Sequence, residues 1–266
     1  MTFEQALLRM QMDGWCVLDG IIPSDEVAAV RDSVVASVEK HRNPDAPKAI
    51  GHVSGFIKID QSLAPYLADR SVMDLAEALV GHHARVSFTT ATINEPGNAR
   101  GGWHADWPFN QRNAGHVAAP YPDAVMHLTT IWMLAPFSEE NGGTLVVSGS
   151  HRCADNPTCK NSVAPLEPYD TEQQACGKAG SVLMMDSRLW HATAPNVSSN
   201  PRVAVVVRYA PWWLNLEILR PGSAERKRLV DMRGKTENEV PSIPISVFET
   251  FPDDVKPLFE HWVAQK

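Results

Sequence analysis

Basic residues never cluster in this chain. There is no Lys/Arg block and no basic tail, and 24 Lys and Arg stand against 31 Asp and Glu, for a net charge of -7. No nucleic-acid partner is therefore expected. Long apolar runs are missing as well. None reaches the roughly 18 residues that a membrane helix needs, so no membrane partner is expected either. The opening MTFEQALLRMQMDGW has neither the basic start nor the apolar centre of a secretion signal, and a cytoplasmic location is expected. Cysteine is sparse. Cys16, Cys153, Cys159 and Cys176 form no C-x-x-C, and the pair 153/159 has no matching second pair for a zinc site. We read all four as reduced thiols. There is no internal repeat and no low-complexity segment.

What is present reads as one globular unit. The chain has 266 residues, 44% of them hydrophobic, enough for a single large core. The first part is helical. Residues 3–12 form a short helix, and Trp15–Leu18 form a strand after the breaker Asp13-Gly14. Residues 25–40 form an amphipathic helix, with Ser24 as its N-cap and Val27, Val30, Val34 and Val38 at helical spacing. Residues 43–51 read as a polar connection. A further helix runs from Ser71, as N-cap, to Leu79, and Gly81 stops it. From Arg85 the character changes to short β-branched runs at 85–94, 127–134, 144–147, 181–186 and 202–210, each bounded by Gly, Pro, Asn or Ser. Many short strands behind a helical start predict a mainly β sandwich or barrel with flanking helices. Segments 110–126 and 153–179 show no period and read as long loops.

The chemistry gathers around three residues. In Gly101-Gly-Trp-His104-Ala-Asp106-Trp107, side chains two apart on a strand share a face, so His104 and Asp106 project together. An imidazole and a carboxylate side by side are two members of a facial triad, which suits iron(II) and leaves coordination positions open. The third member is His191, at the far end of an apolar strand that also carries Asp186. Arg202 follows at 202 − 191 = 11 residues and opens the strand Arg202–Tyr209. A buried arginine there needs a partner, either an internal carboxylate or that of a ligand. Arg208 shares its parity, so alternation alone does not separate the two.

His104-Ala-Asp106, Glu140-Asn-Gly-Gly-Thr-Leu-Val-Val-Ser-Gly-Ser-His151, and His191 followed by Arg202 together resemble the phytanoyl-CoA dioxygenase family of iron(II)- and 2-oxoglutarate-dependent oxygenases. The likeness spans roughly residues 10–210 and includes the DGWCVLDGIIPSDEV segment. It implies a double-stranded β-helix, the cupin-like jelly roll. The single domain 1–266 then divides into helical elements at about 1–80, a jelly-roll core at about 81–212 and an extension at about 213–266. By the same resemblance Fe(II) would sit on His104, Asp106 and His191. Arg202 would bind the distal carboxylate of 2-oxoglutarate, helped by Thr193, Trp132 and Lys58. The reaction with O2 would oxidise a C–H bond of a small-molecule metabolite, releasing succinate and carbon dioxide. Related halogenases have a small residue where Asp106 stands, so its carboxylate favours oxygenation. Trp107 and Phe109 are expected near the substrate, Trp212 and Trp213 are open candidates for the pocket wall, and His127 and His151 read as packed. The segment 107–126 is longer than the commoner family pattern and would overlie the open face. Two other readings remain: a cupin-type metalloenzyme without 2-oxoglutarate, and a ligand-binding protein that keeps only the fold. Oligomeric state is open.

Overall fold

The computed structural model describes residues 1–47, 49–107, 117, 119–157, 164–234 and 237–264. Phe109, His116 and Cys159 lie outside the described residues, as does 108–116 of the long segment after the metal motif. Among those described, Cys16, Cys153 and Cys176 are free thiols.

Helix α1 (Phe3–Met12) opens on a capping box: Thr2 Oγ1 accepts from the Gln5 N–H, and the Gln5 side chain accepts from the Thr2 N–H. Strand β1 (Trp15–Leu18) follows. Helix α2 (Val27–His41) buries the predicted valine stripe, Val27, Val30, Val34 and Val38. Its start is later than predicted. The Pro23 carbonyl accepts from both Glu26 and Val27 N–H, so a turn occupies the place where Ser24 was expected to cap. Helix α3 (Arg70–Val80) is capped by Asp69, whose carboxylate accepts from the Ser71 N–H, rather than by Ser71 itself. Gly81 ends it at φ 88, where a side chain would be strained.

The strands that follow are β2 (Ile50–Ser54), β3 (Arg85–Asn94), β4 (Leu128–Met133), β5 (Thr144–Val147), β6 (Glu172–Ala175), β7 (Val182–Asp186), β8 (His191–Ala192) and β9 (Arg202–Ala210). They form two antiparallel sheets, of order β1-β7-β4-β9-β3-β2 and β6-β5-β8. This is a jelly roll with α1, α2 and α3 on the outside of the larger sheet. Two strands were not predicted: β2 lies at the end of the supposed polar connection, and β6 inside the supposed loop 153–179. The predicted strand carrying both Asp186 and His191 is in fact two. β7 ends at Asp186 in the larger sheet, and residues 187–190 cross to β8 in the smaller one. The C-terminal extension contains α4 (Ala224–Leu229).

Alternation assigns the faces. On β9, Val203, Val205, Val207 and Tyr209 pack in the large cluster shared with the helices, whereas Ala204 and Val206 pack between the sheets. Arg202 and Arg208 have the even parity and so project inward. On β4, Leu128 and Trp132 face the helices, and Ile131 and Met133 face inward. The smaller sheet turns Trp103, Ala105, Leu145, Val147, Trp190 and Ala192 outward. His104, Asp106 and His191 have the opposite parity and face the interior.

Candidate active site

Residues 101–107 do not form the expected strand; a single antiparallel bridge joins His104 to His191. The alternation survives because the backbone is held at every second residue. His104 N–H donates to His191 O (3.0 Å), His191 N–H to His104 O (2.9 Å), and Asp106 N–H to Ser187 O (2.8 Å). The two imidazole centroids lie 4.1 Å apart.

Each histidine is also oriented. His104 Nδ1–H donates to Gly102 O at 3.0 Å, and His191 Nδ1–H to Leu189 O at 2.9 Å. With the proton on Nδ1, each Nε2 keeps a bare lone pair, the form that a metal requires. His191 Nε2 stands 3.7 Å from Asp106 Oδ2, and the three ligand atoms lie within 4.8 Å of one another. Burial, then the neighbouring His104, pushes His191 down to about 4, with Asp106 pulling the other way. Burial pushes the Asp106 carboxyl up, but Arg208, His191, His104 and the Thr129 hydroxyl outweigh it. The net result lies well below the ordinary carboxylate range. The trio thus presents two imidazoles, that of His191 held neutral by its surroundings, and one ionised carboxylate, a donor set suited to iron(II).

The two arginines now separate. Arg208 Nη2 donates to Asp106 Oδ1 at 2.6 Å, so Arg208 is an internal partner. Arg202 is 4% exposed and has no carboxylate partner among the described residues. Its Nη1 donates to Gly142 O at 2.7 Å and Thr144 Oγ1 at 3.3 Å, its guanidinium lies 4.5 Å from the Phe137 ring centroid, and its Nε is unpartnered. Burial lowers it to about 10, still charged at neutral pH. Gly142 is required here. At φ +83, an added Cβ would come within 2.6 Å of Ala194 O.

The remaining expected residues divide. Thr193 is half-buried, and its carbonyl accepts from Gly101 N–H at 2.9 Å. The pairing Leu145↔Ala192 and Val146↔His191, continued by one residue, sets Thr193 against Thr144, beside Arg202. Trp132 is a correction. It faces the helices, fully buried, with Nε1 donating to Thr130 Oγ1 at 3.0 Å, on the opposite side of the sheet from His104. Lys58 lines a cleft with Phe88, Val240, Pro241 and Trp262. Trp107 is 5% exposed and packs in the helix-side cluster, stacked on His127 at 5.9 Å, rather than standing open to a substrate. His151 is buried against Gly14, where a Cβ would overlap its ring. Trp212 and Trp213 are exposed.

Residues that the sequence did not flag also line this side. His52 sits on the inward face of β2 opposite Thr92, with Nε2 3.2 Å from Thr90 Oγ1. It is open to solvent, yet surrounding protein, then Arg208, pushes its imidazole below the ordinary value. Thr129, Ser187, His127 and Ser87 are all buried behind Asp106.

A family profile described as phytanoyl-CoA dioxygenase (PhyH) matches residues 10–204, most of the chain. The chain belongs to the phytanoyl-CoA dioxygenase family. It is accordingly a non-haem iron(II) dioxygenase that uses 2-oxoglutarate and O2. It is similar to Dioxygenase af480 of Aspergillus fumigatus, 29% identical over 221 residues, covering 79% of this chain and 67% of that protein. It is also similar to an ectoine dioxygenase of Nocardia farcinica, 23% identical, covering 75% and 74%. Among solved structures, HygX from Streptomyces hygroscopicus, holding nickel, 2-oxoglutarate and hygromycin B, matches with TM-score 0.64 at 16% identity over 90% of this chain and 97% of that one. The epimerase SnoN, in complex with Fe3+, alpha ketoglutarate and nogalamycin RO, matches with TM-score 0.64 at 18% identity over 79% and 83%. At these identities the structural likeness establishes the jelly-roll fold. The family rules out the reading without 2-oxoglutarate.

Proposed function

We propose that His104, Asp106 and His191 hold iron(II), that Arg202 with Thr193 and Thr144 takes the distal carboxylate of 2-oxoglutarate, and that the enzyme hydroxylates a C–H bond of a small-molecule metabolite. The observation that carries this reading is Arg202. A buried guanidinium with no counter-ion among the described residues, on the same inward side as the trio, fits a dicarboxylate that enters with the metal. The small-molecule substrate is supported by the similar structures, which hold hygromycin B and nogalamycin RO. Among the described residues, no helix is long and apolar enough to cross a membrane.

Iron(II), when bound with 2-oxoglutarate and O2, supplies the oxidant for C–H cleavage. The chain's own part is placement. The Nδ1–H bonds to Gly102 and Leu189 hold both imidazoles ready, so little reorganisation accompanies metal binding. Asp106 fills the position that a halide would need. Arg202 anchors the far end of the co-substrate, so that its other end is directed at the trio.

The test is anaerobic. Iron(II) and 2-oxoglutarate added to the purified protein are expected to give a weak visible charge-transfer band, absent in His104→Ala and His191→Ala, which also lose stoichiometric iron binding. Arg202→Met is expected to keep iron binding, to lose the band at co-substrate concentrations that saturate the parent, and to be no less stable without ligands. That last outcome follows because the substitution removes an unpaired buried charge. Full retention of 2-oxoglutarate affinity by Arg202→Met would remove it from the co-substrate site.

A further inference from the structure

Asp106 is restrained more completely than the two histidines. Its Oδ1 accepts from Arg208 Nη2 at 2.6 Å, and its Oδ2 from Thr129 Oγ1 at 2.8 Å. Oδ2 is also the oxygen facing His191 Nε2. Behind Thr129 the contacts continue through fully buried groups. Thr129 Oγ1 lies 2.8 Å from Ser187 Oγ, Ser187 Oγ 2.8 Å from His127 Nδ1, and His127 Nε2 2.7 Å from Ser87 Oγ, which in turn lies 3.2 Å from the Arg208 carbonyl.

The direction of this relay is set by its end. A carboxylate only accepts, so the Thr129 hydroxyl proton is directed at Oδ2. Ser187 must then donate to Thr129, and it accepts in turn from His127 Nδ1–H. Each bond polarises the next toward Asp106. His127 Nε2, left unprotonated, accepts from the Ser87 hydroxyl, which has only that one proton, so the relay ends at Ser87, next to the backbone of Arg208, the partner of the other carboxylate oxygen. Its members come from β3, β9, β4 and the residues flanking β4 and β7. Ser87 reaches it because the β3/β9 register shifts between Val86 and Phe88, a bulge that re-aims one side chain.

We propose that Thr129, Ser187, His127 and Ser87 form a hydrogen-bond relay that, together with Arg208, holds Asp106 as a one-oxygen metal ligand, with His127 a positioning residue that acts without touching the metal. The proposal rests on Asp106 being a ligand. Arg208 takes one lone pair of Oδ1 and Thr129 one of Oδ2; the 2.6 Å bond to Arg208 ties Oδ1 back, and Oδ2, on the His191 side, is the oxygen presented to the metal. A swing to two-oxygen binding would consume a coordination position that the co-substrate or O2 needs.

Cobalt(II) tests this without turnover, because its d–d bands report coordination number and geometry. Thr129→Val and Ser187→Ala, nearly isosteric changes, are expected to weaken cobalt(II) binding by about tenfold or more and to alter the d–d spectrum. His127→Phe should do the same. Thr129→Ser, which keeps the donor, should restore both readings. Thr130→Val is the control. Its hydroxyl is equally buried and donates to Val207 O at 2.7 Å, but on the helix side of the same strand. It should cost stability and leave the spectrum unchanged. Parent-like affinity and spectrum in Thr129→Val and Ser187→Ala, or an equal spectral change in Thr130→Val, would overturn the relay. If instead the parent and His104→Ala bind cobalt(II) alike, the metal assignment itself fails, a separate result.

Discussion

Two histidines outside the candidate metal trio are held neutral by the fold. Burial, then the charge of Arg208, pushes His127 down to about 3 against the pull of Asp106. Burial, then Arg85, with Arg220 adding to it, pushes His261 to about 3, although its ring bonds the Val86 carbonyl at 3.0 Å. In the unfolded chain both protonate near the ordinary value of about 6.5. Between these limits the unfolded state binds more protons than the folded one. The stability they permit is therefore complete above about pH 6.5 and declines as pH falls, by about 1.4 kcal/mol per pH unit for each histidine. The metal-free protein should accordingly unfold at lower urea concentration at pH 5 than at pH 7. An equal or higher midpoint at pH 5 would contradict the neutral assignment. Single residues also mark what could be read in advance. His104, Asp106 and His191 stand out because a metal needs those residue types at strand spacing. Thr129 and Ser187 carry no such mark, since a serine or threonine hydroxyl looks alike in sequence whether it bonds a carboxylate or a carbonyl.

At the scale of an element, parity decides more than proximity in sequence. The family resemblance placed Trp132 at the co-substrate, but it has the parity of Leu128 and packs in the helix-side cluster, not on the inner face. Trp132→Ala should cost about 3–5 kcal/mol in unfolding free energy, with 2-oxoglutarate affinity of the folded protein unchanged. Loss of that affinity in a variant that still folds would return Trp132 to the site. The strands legible beforehand were those whose β-branched runs are buried, such as Arg85–Asn94 and Arg202–Ala210. The illegible ones were β2, with Gly51 and His52, and β6, reading Glu-Gln-Gln-Ala. Both are edge strands with solvent-facing positions, so no apolar pattern is needed to hold them. The crossing at 187–190 escaped notice for the opposite reason: Ser187, Arg188, Leu189 and Trp190 are all buried and the hydrophobic pair Leu189-Trp190 leads straight into His191, although the chain changes sheet there.

At the scale of the molecule, the helices, the larger sheet and the C-terminal segment are continuous. One buried cluster runs from Ala6 in α1 to Trp262, and Trp262 Nε1 donates to Val86 O at 2.8 Å. A single cooperative thermal transition is expected for residues 1–266. Metal with 2-oxoglutarate at about a hundred times its dissociation constant should raise the midpoint by on the order of 5 to 10 °C. Two resolved transitions would divide the domain. The reciprocal backbone bonds between His104 and His191 have a further effect. The segments that carry the histidines are joined to each other whether or not an ion lies between the rings, so an ion can depart and another arrive without the protein coming apart. A preformed pocket of this kind selects weakly among divalent ions, and cobalt, nickel and zinc all outrank iron(II) in intrinsic affinity. Occupancy by iron then depends on the ions within reach when the chain folds and afterwards, which makes the enzyme's working fraction a property of its surroundings as much as of its sequence.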